Sequence, residues 1–298
     1  MPRALKAHIL LVLVTFIWGA TFVLIKNAVE HDVTPLLFNF VRMLLAAATL
    51  GILFYREVGR INRRSLVVGM VTGVCLWLGY EFQTTGIRLT TASKSAFITG
   101  ISVVLVPLFL VAFWGRKVRM WTALGVLAAI CGLFLLTVPA SESGAGDWAS
   151  VNRGDLLTLA CAVSFAFQII FLGRATERHP FAQIGFLQIA TAAVLMGPTA
   201  LLFEHPHIVW TPAVAWAIVI TALLGTAAAF TIQAWAQQFT SPAHTALIFS
   251  LEPVFAWVTS YVVLGERLGM RAGVGALLIL AGVLMSELLG SVAASQPA

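Results

Sequence analysis

Residues 94–115, KSAFITGISVVLVPLFLVAFWG, and residues 244–265, HTALIFSLEPVFAWVTSYVVLG, lie 150 positions apart and read as one spanning segment written twice. Ala96 falls on Ala246 and Gly115 on Gly265, and each stretch is apolar over the roughly 20 residues that a helix needs to cross the hydrocarbon core of a bilayer. The register continues outward. Gln83 meets Gln233, Thr90 meets Thr240, Met120 meets Met270, Gly125 meets Gly275 and Gly132 meets Gly282. Upstream the match is weaker and shifts to an offset near 146, where Ala46-Ala47 lie over Ala192-Ala193.

Ten apolar stretches of spanning length run along the chain, at about 7–27, 35–55, 66–87, 92–114, 120–138, 154–173, 181–203, 212–236, 242–264 and 270–290. Five fall in each copy of the repeat. Five is odd, so the second copy must cross the bilayer in the opposite sense, and the copies are related by an axis in the membrane plane. The expected fold is an all-α membrane protein of ten transmembrane helices in two inverted five-helix repeats. The expected division is a first repeat over 1–139, a linker over 140–153, a second repeat over 154–290 and a cytoplasmic tail over 291–298.

Composition agrees with this class: 60% of the 298 residues are hydrophobic and 10% are charged, too few charges to cover a soluble domain of this size. Little chain remains outside the spans, so no soluble catalytic, nucleotide-binding or DNA-binding domain fits in the loops. The net charge of +6 is spread over helix ends rather than gathered into a patch for a polyanion, which argues against a nucleic-acid partner and for contact with membrane lipid. With the N-terminus inside, eleven Lys and Arg from Arg3 to Arg178 face the cytoplasm and six, among them Lys26, Arg88 and Arg153, face outward; this bias places both termini in the cytoplasm of an inner-membrane protein. The first span is too long for a cleaved signal peptide and reads as a retained helix. Cys75, Cys131 and Cys161 are too far apart in sequence for a zinc spacing and read as packing residues.

Inverted repeats place a site near the midplane where the halves meet, and rocking one half against the other opens that site to either side in turn. Duplication kept for packing alone is the plainer alternative. The order of several motifs also resembles a known family: Trp18-Gly19-Ala20-Thr21-Phe22 with Lys26, Phe40-Val41-Arg42, Leu251-Glu252-Pro253-Val254-Phe255 and Leu264-Gly265-Glu266-Arg267-Leu268, with Trp114-Gly115-Arg116-Lys117 as a degenerate copy of the last. In this order, on ten spans with a duplication, they resemble the EamA family of the drug/metabolite transporter superfamily. The resemblance implies export or exchange of amino acids, metabolites or drugs across an inner membrane, and a place for Lys26 on the path.

Charges deep in a bilayer cost about 2.5–3.5 kcal/mol on insertion scales, so each needs a partner or a task. Arg42, Glu81 and Glu252 are the deep ones. Arg42 and Glu81 reach similar depth, about 10 Å below the outer surface, and either pair with one another or line a vestibule in which one meets a charged substrate group. Glu252 lies near the midplane before Pro253, where it can hold a substrate ammonium, couple transport to protons or satisfy donors at a bent helix. Gln83 and Gln233, mates under the repeat, can hydrogen-bond a polar solute or glue helices together. Trp18 with Thr21, and Tyr80, complete the expected substrate path. Lys94 and His244 stand at repeat-related helix ends as gate candidates, with anchoring as the simpler account.

Enzyme motifs are missing: the six His show no metal spacing, and there is no HExxH, P-loop or nucleophile elbow. The sequence predicts a secondary transporter or facilitator that needs no metal or cofactor and takes small amphipathic metabolites such as amino acids. The rival is a polytopic membrane enzyme or lipid-handling protein.

Overall fold

A computed structural model of the chain describes residues 2–90, 92–138, 151–264 and 269–292. Among the described residues nine helices are long and apolar enough to span a bilayer and a tenth, with a shorter apolar run, follows them: α1 (Arg3–His31), α2 (Pro35–Leu53), α3 (Arg63–Ile87), α4 in two pieces (α4a, Ala92–Gly100; α4b, Ser102–Trp114), α5 (Met120–Thr137), α6 (Arg153–Thr176), α7 (Phe181–Phe203), α8 (Pro212–Ala236), α9 in two pieces (α9a, Pro242–Phe249; α9b, Glu252–Leu264) and α10 (Met270–Val292). Most of the linker expected at 140–153, the Gly265–Leu268 motif and the end of the tail lie outside the described residues.

The helices start where local chemistry caps them. Asn62 accepts from Ser65 N, Thr211 from Val214 N and Ser241 from His244 N, while Asn152 and Asp155 form a reciprocal capping box at the head of α6. Proline opens α2, α8 and α9a at Pro35, Pro212 and Pro242, where its missing N–H costs nothing. Gly115 ends α4b with φ of 60°, the left-handed turn that glycine adopts without strain, and Arg116 N then bonds to Leu110 O.

The repeats meet through contacts that obey their two-fold relation. Where α5 crosses α10, a Cβ on Gly132 would stand 2.5 Å from Gly275 O and one on Gly125 would stand 2.6 Å from Gly282 O. Each glycine therefore faces the repeat mate of the other, and only a hydrogen side chain lets the backbones come so close. At the other junction α2 packs on α7, and Ala46, Ala47, Ala192 and Ala193 share one buried cluster with Met43, Leu50, Ile189 and Met196. These are the alanines aligned by the weaker offset. Gly69 and Gly73 of α3 likewise admit Leu187, Gln188 and Thr191 of α7.

Two departures from straight helices position the interior. α4 breaks at Ile101 and α9 at Ser250-Leu251, places that coincide under the 150-residue shift. In α9 the cause is visible: Pro253 has no N–H to give Phe249 O, and α9a ends at Phe249. α4 breaks without a proline there; Pro107 lies further on, inside α4b. In α8, residues Leu223–Ala228 wind as a π-helix, so Thr226 Oγ1 donates to Thr221 O, five residues back.

Candidate functional site

The middle of the bundle is lined by aromatic rings carried on several helices. Trp18 of α1 lies 5.5 Å from the Phe230 ring of α8 and 4.9 Å from the Phe249 ring of α9a; Tyr80 of α3 meets the Phe165 ring of α6 edge-on at 5.6 Å. Trp18 Nε1 donates to Gly225 O at 2.7 Å, a carbonyl within the π-wound turn, which fixes the indole. Gly19 explains how α1 comes so near: a Cβ there would lie 2.7 Å from Ala256 N and from the Phe255 Cβ of α9b. Thr21, buried one turn on, donates back to Ile17 O and Trp18 O.

Arg42 projects from α2 onto this aromatic set. Its guanidinium carbon stands 4.7 Å from the centre of the Tyr80 ring and 6.0 Å from that of Phe38, a cation–π arrangement. The side chain is 5% exposed, and its buried Nε and Nη2 have no hydrogen-bond partner. An unsatisfied buried donor costs about 1–3 kcal/mol, more when charged. Glu252 opens α9b directly after the helix break; it is half-buried, and its carboxylate makes no hydrogen bond among the described residues. Arg42 thus stands over the Tyr80 ring, while Glu252 follows by three residues Phe249, whose ring meets Trp18. A carboxylate at a helix N-terminus also sits favourably in the helix dipole, so both readings of Glu252 survive.

Glu81 faces elsewhere. It follows Tyr80 on α3, about 100° round the helix, and accepts a 3.0 Å hydrogen bond from Thr199 Oγ1 of α7; no ion pair joins it to Arg42. Equal depth placed the two charges at one level, but helix phase separates them. Gln83, half-buried, lies three residues beyond Tyr80 on the same helical face. Its repeat mate Gln233 is fully buried among amides: Gln168 Nε2 donates to Gln188 Oε1 at 2.9 Å, and Gln233 Nε2 donates to Gln168 Oε1 at 3.3 Å. Gln233 thus joins an amide network that links three helices. The Lys26 side chain lies outside the described residues.

Lys94 and His244 occur at opposite ends of the bundle. Lys94 Nζ lies 2.6 Å from Asp155 Oδ2, and the ring of His244 is 6.2 Å from that of His8. Sequence reasoning missed Asp155 and His8, as it missed Phe165 and Phe249. Asp155 sits beside the linker and reads as an ordinary helix cap until the fold brings α4a alongside. Among the described residues no cluster of three or more His, Cys, Asp or Glu is placed to share a metal ion.

Apolar spans in two inverted halves, with broken helices and a buried guanidinium that keeps two unmatched donors, are the build of a membrane transporter. The particular family follows from comparison: the profile of the EamA-like transporter family matches residues 5–138 and again 152–288, and the chain belongs to that family. It is 32% identical to an uncharacterized transporter of Archaeoglobus fulgidus over 96% of this chain and 87% of that one, and 24% identical to the uncharacterized transporter YoaV of Bacillus subtilis over 94% and 96%. A protein of Chlamydia trachomatis named as an S-adenosylmethionine/S-adenosylhomocysteine transporter is 29% identical over 71% of this chain and 65% of its own. A solved crystal structure at 20% identity has the same fold, with a TM-score of 0.78 over 97% of this chain and 99% of that one.

Proposed function

We propose that the protein exports small amphipathic metabolites, amino acids foremost, across the inner membrane through a space between its two repeats. Arg42 takes the substrate carboxylate, Glu252 takes the ammonium, and the rings of Trp18, Tyr80, Phe165 and Phe249 receive the side chain. The observation that carries this reading is Arg42 itself: a buried guanidinium with two free donors, stacked on Tyr80, is complementary to an anion that arrives and leaves. Glu252, at the head of α9b just past the break that follows Phe249, supplies an opposite charge, and a site with two poles suits a zwitterion better than a simple anion.

Binding to the purified protein tests this, read through fluorescence of the half-buried tryptophans, Trp18 foremost, with a series of amino acids and two sets of analogues, the amides and the deaminated acids. Each analogue lacks one pole. Weaker binding of both sets by about tenfold or more is expected, from loss of a charge-assisted hydrogen bond of roughly 1.5–3 kcal/mol. Equal binding of acids, amides and deaminated acids overturns the two-pole site.

A second reading shares the same headgroup chemistry. The Chlamydia relative is named for S-adenosylmethionine, which carries an amino-acid end on a larger body, and the aromatic set here offers rings on which a base can stack. Competition by S-adenosylmethionine in the same assay, stronger than by methionine, favours this larger ligand.

A further inference from the structure

α4b is seated unequally on its two neighbours. Towards α6 the space is filled by rings: Phe109 stacks on Phe167 with centroids 4.8 Å apart and planes 17° from parallel, and Trp114 meets Phe171 edge-on. Towards α5 it leaves a groove of about 290 Å³ whose lining side chains are all apolar, among them Pro107, Leu108 and Val111 of α4b and Val126 and Leu127 of α5. Leu108, Val111 and Leu127 are each about half exposed, so the groove opens on the outside of the bundle. It follows α4b for about 10 Å, from Val104 to Val111 at 1.5 Å per residue.

Val118 closes one end of the groove, and it comes from a loop that concentrates positive charge. Gly115 turns the chain out of α4b in the left-handed conformation, Arg116 N bonds back to Leu110 O at 3.0 Å, and Arg116 and Lys117 then stand exposed immediately before Val118. No Asp or Glu occurs anywhere from Phe82 to Ser141 to offset them. The repeat mate differs: the 150-residue shift lays Arg116-Lys117 on Glu266-Arg267, where the acid cancels the base. The topology of the chain asks for basic residues at helix ends, but it does not ask for an apolar groove that ends on them.

We propose that this groove binds an anionic phospholipid, with one acyl chain between α4b and α5 and the phosphate on Arg116 and Lys117. An apolar channel at bilayer depth that runs up to two exposed cations matches both parts of such a molecule. A peptide segment does not suit it, since its backbone N–H and C=O groups would find no partner among these side chains. The chain packs on Pro107, where α4b lacks the hydrogen bond to Val103 O, and so braces the helix against α5. The groove shares no residue with the Arg42 set, so the substrate reading can fail while the lipid site stands, and the reverse.

Native mass spectrometry of the full-length protein in detergent, titrated with phosphatidylglycerol or with phosphatidylcholine of the same chains, counts the lipids that stay bound. Phosphatidylglycerol is expected to bind about tenfold more tightly than phosphatidylcholine, each cation at a lipid surface contributing roughly a factor of five. R116Q/K117Q is expected to abolish that preference. R63Q/R64Q removes the same charge from the exposed start of α3, outside the groove lining, and is expected to leave the preference intact. Val111→Trp, at an exposed position of the lining, fills the groove and is expected to weaken phosphatidylglycerol several-fold with both cations in place. Equal retention of the two lipids by the native protein overturns the site, as does a loss in R63Q/R64Q as large as that in R116Q/K117Q. Unchanged binding by Val111→Trp, or displacement of the lipid by millimolar glycerol phosphate, would mark an ion site on the loop in which the groove has no part, and overturns the proposal equally.

Discussion

Arg42 concentrates the functional argument in one side chain. Its position on Tyr80 and its two unsatisfied donors set a sharp expectation: Arg42→Gln should raise the half-saturating substrate concentration by roughly 10- to 100-fold, the weight of a lost charge-assisted bond, while the protein still folds. Arg42→Lys should rescue only in part, because a lysine keeps the charge but cannot offer the planar fork or stack on the ring. Kinetics for both variants beside a melting curve check this, and an Arg42→Gln protein with normal kinetics would remove the guanidinium from the path. Trp18 is a different kind of residue. Its indole bonds to Gly225 O, so Trp18→Phe should destabilise the bundle by about 1 kcal/mol and leave a carbonyl bare, a loss read by thermal melting in detergent. At this scale the sequence was partly legible: charge type and depth singled out Arg42, Glu81 and Glu252 correctly as buried or half-buried groups. Azimuth was not legible, since a helix boundary uncertain by one residue turns a side chain by about 100°, and that is the angle that sends Arg42 to Tyr80 and Glu81 to Thr199.

Among elements, the spans themselves were readable because bilayer thickness imposes a length on each apolar run, and the ends found at Pro35, Met120, Phe181 and Pro212 coincide with the start of the runs. The irregular elements were not readable. Ile101 and the π-wound Leu223–Ala228 contain no proline, and they depend on what neighbouring helices supply to the freed backbone groups, as Trp18 does for Gly225. The glycines of α5 and α10 lie between these cases: the repeat announced Gly125, Gly132, Gly275 and Gly282 as a set, and the contact explains the set. Gly132→Leu should cost about 1–3 kcal/mol by overpacking, because the neighbour it would strike is backbone at Gly275 and cannot swing away. Melting of that variant checks the claim, with Ala123→Leu, at an exposed position of the same helix, as a comparison.

At the scale of the whole molecule, two inverted halves join at glycine and alanine seams and bring Trp18 against Phe230 and Phe249, Tyr80 against Phe165, and Arg42 onto Tyr80. The class was legible from register and span count alone. The substrate was not, because ring and charge types that suit an amino acid suit many amphipathic solutes. Proton use is the open property of the same carboxylate: if Glu252 couples transport to protons, a pH gradient should speed exchange in the native protein and have no effect on a Glu252→Gln variant that still binds substrate. The measurement that bears most directly on the central claim is counterflow of labelled amino acids into liposomes holding the purified protein, with the Arg42→Gln protein alongside. The account predicts saturable counterflow of at least one amino acid, suppressed by excess unlabelled substrate and lost at the same concentrations in the variant. Equal flux through both proteins, or no flux of any amino acid, would contradict it.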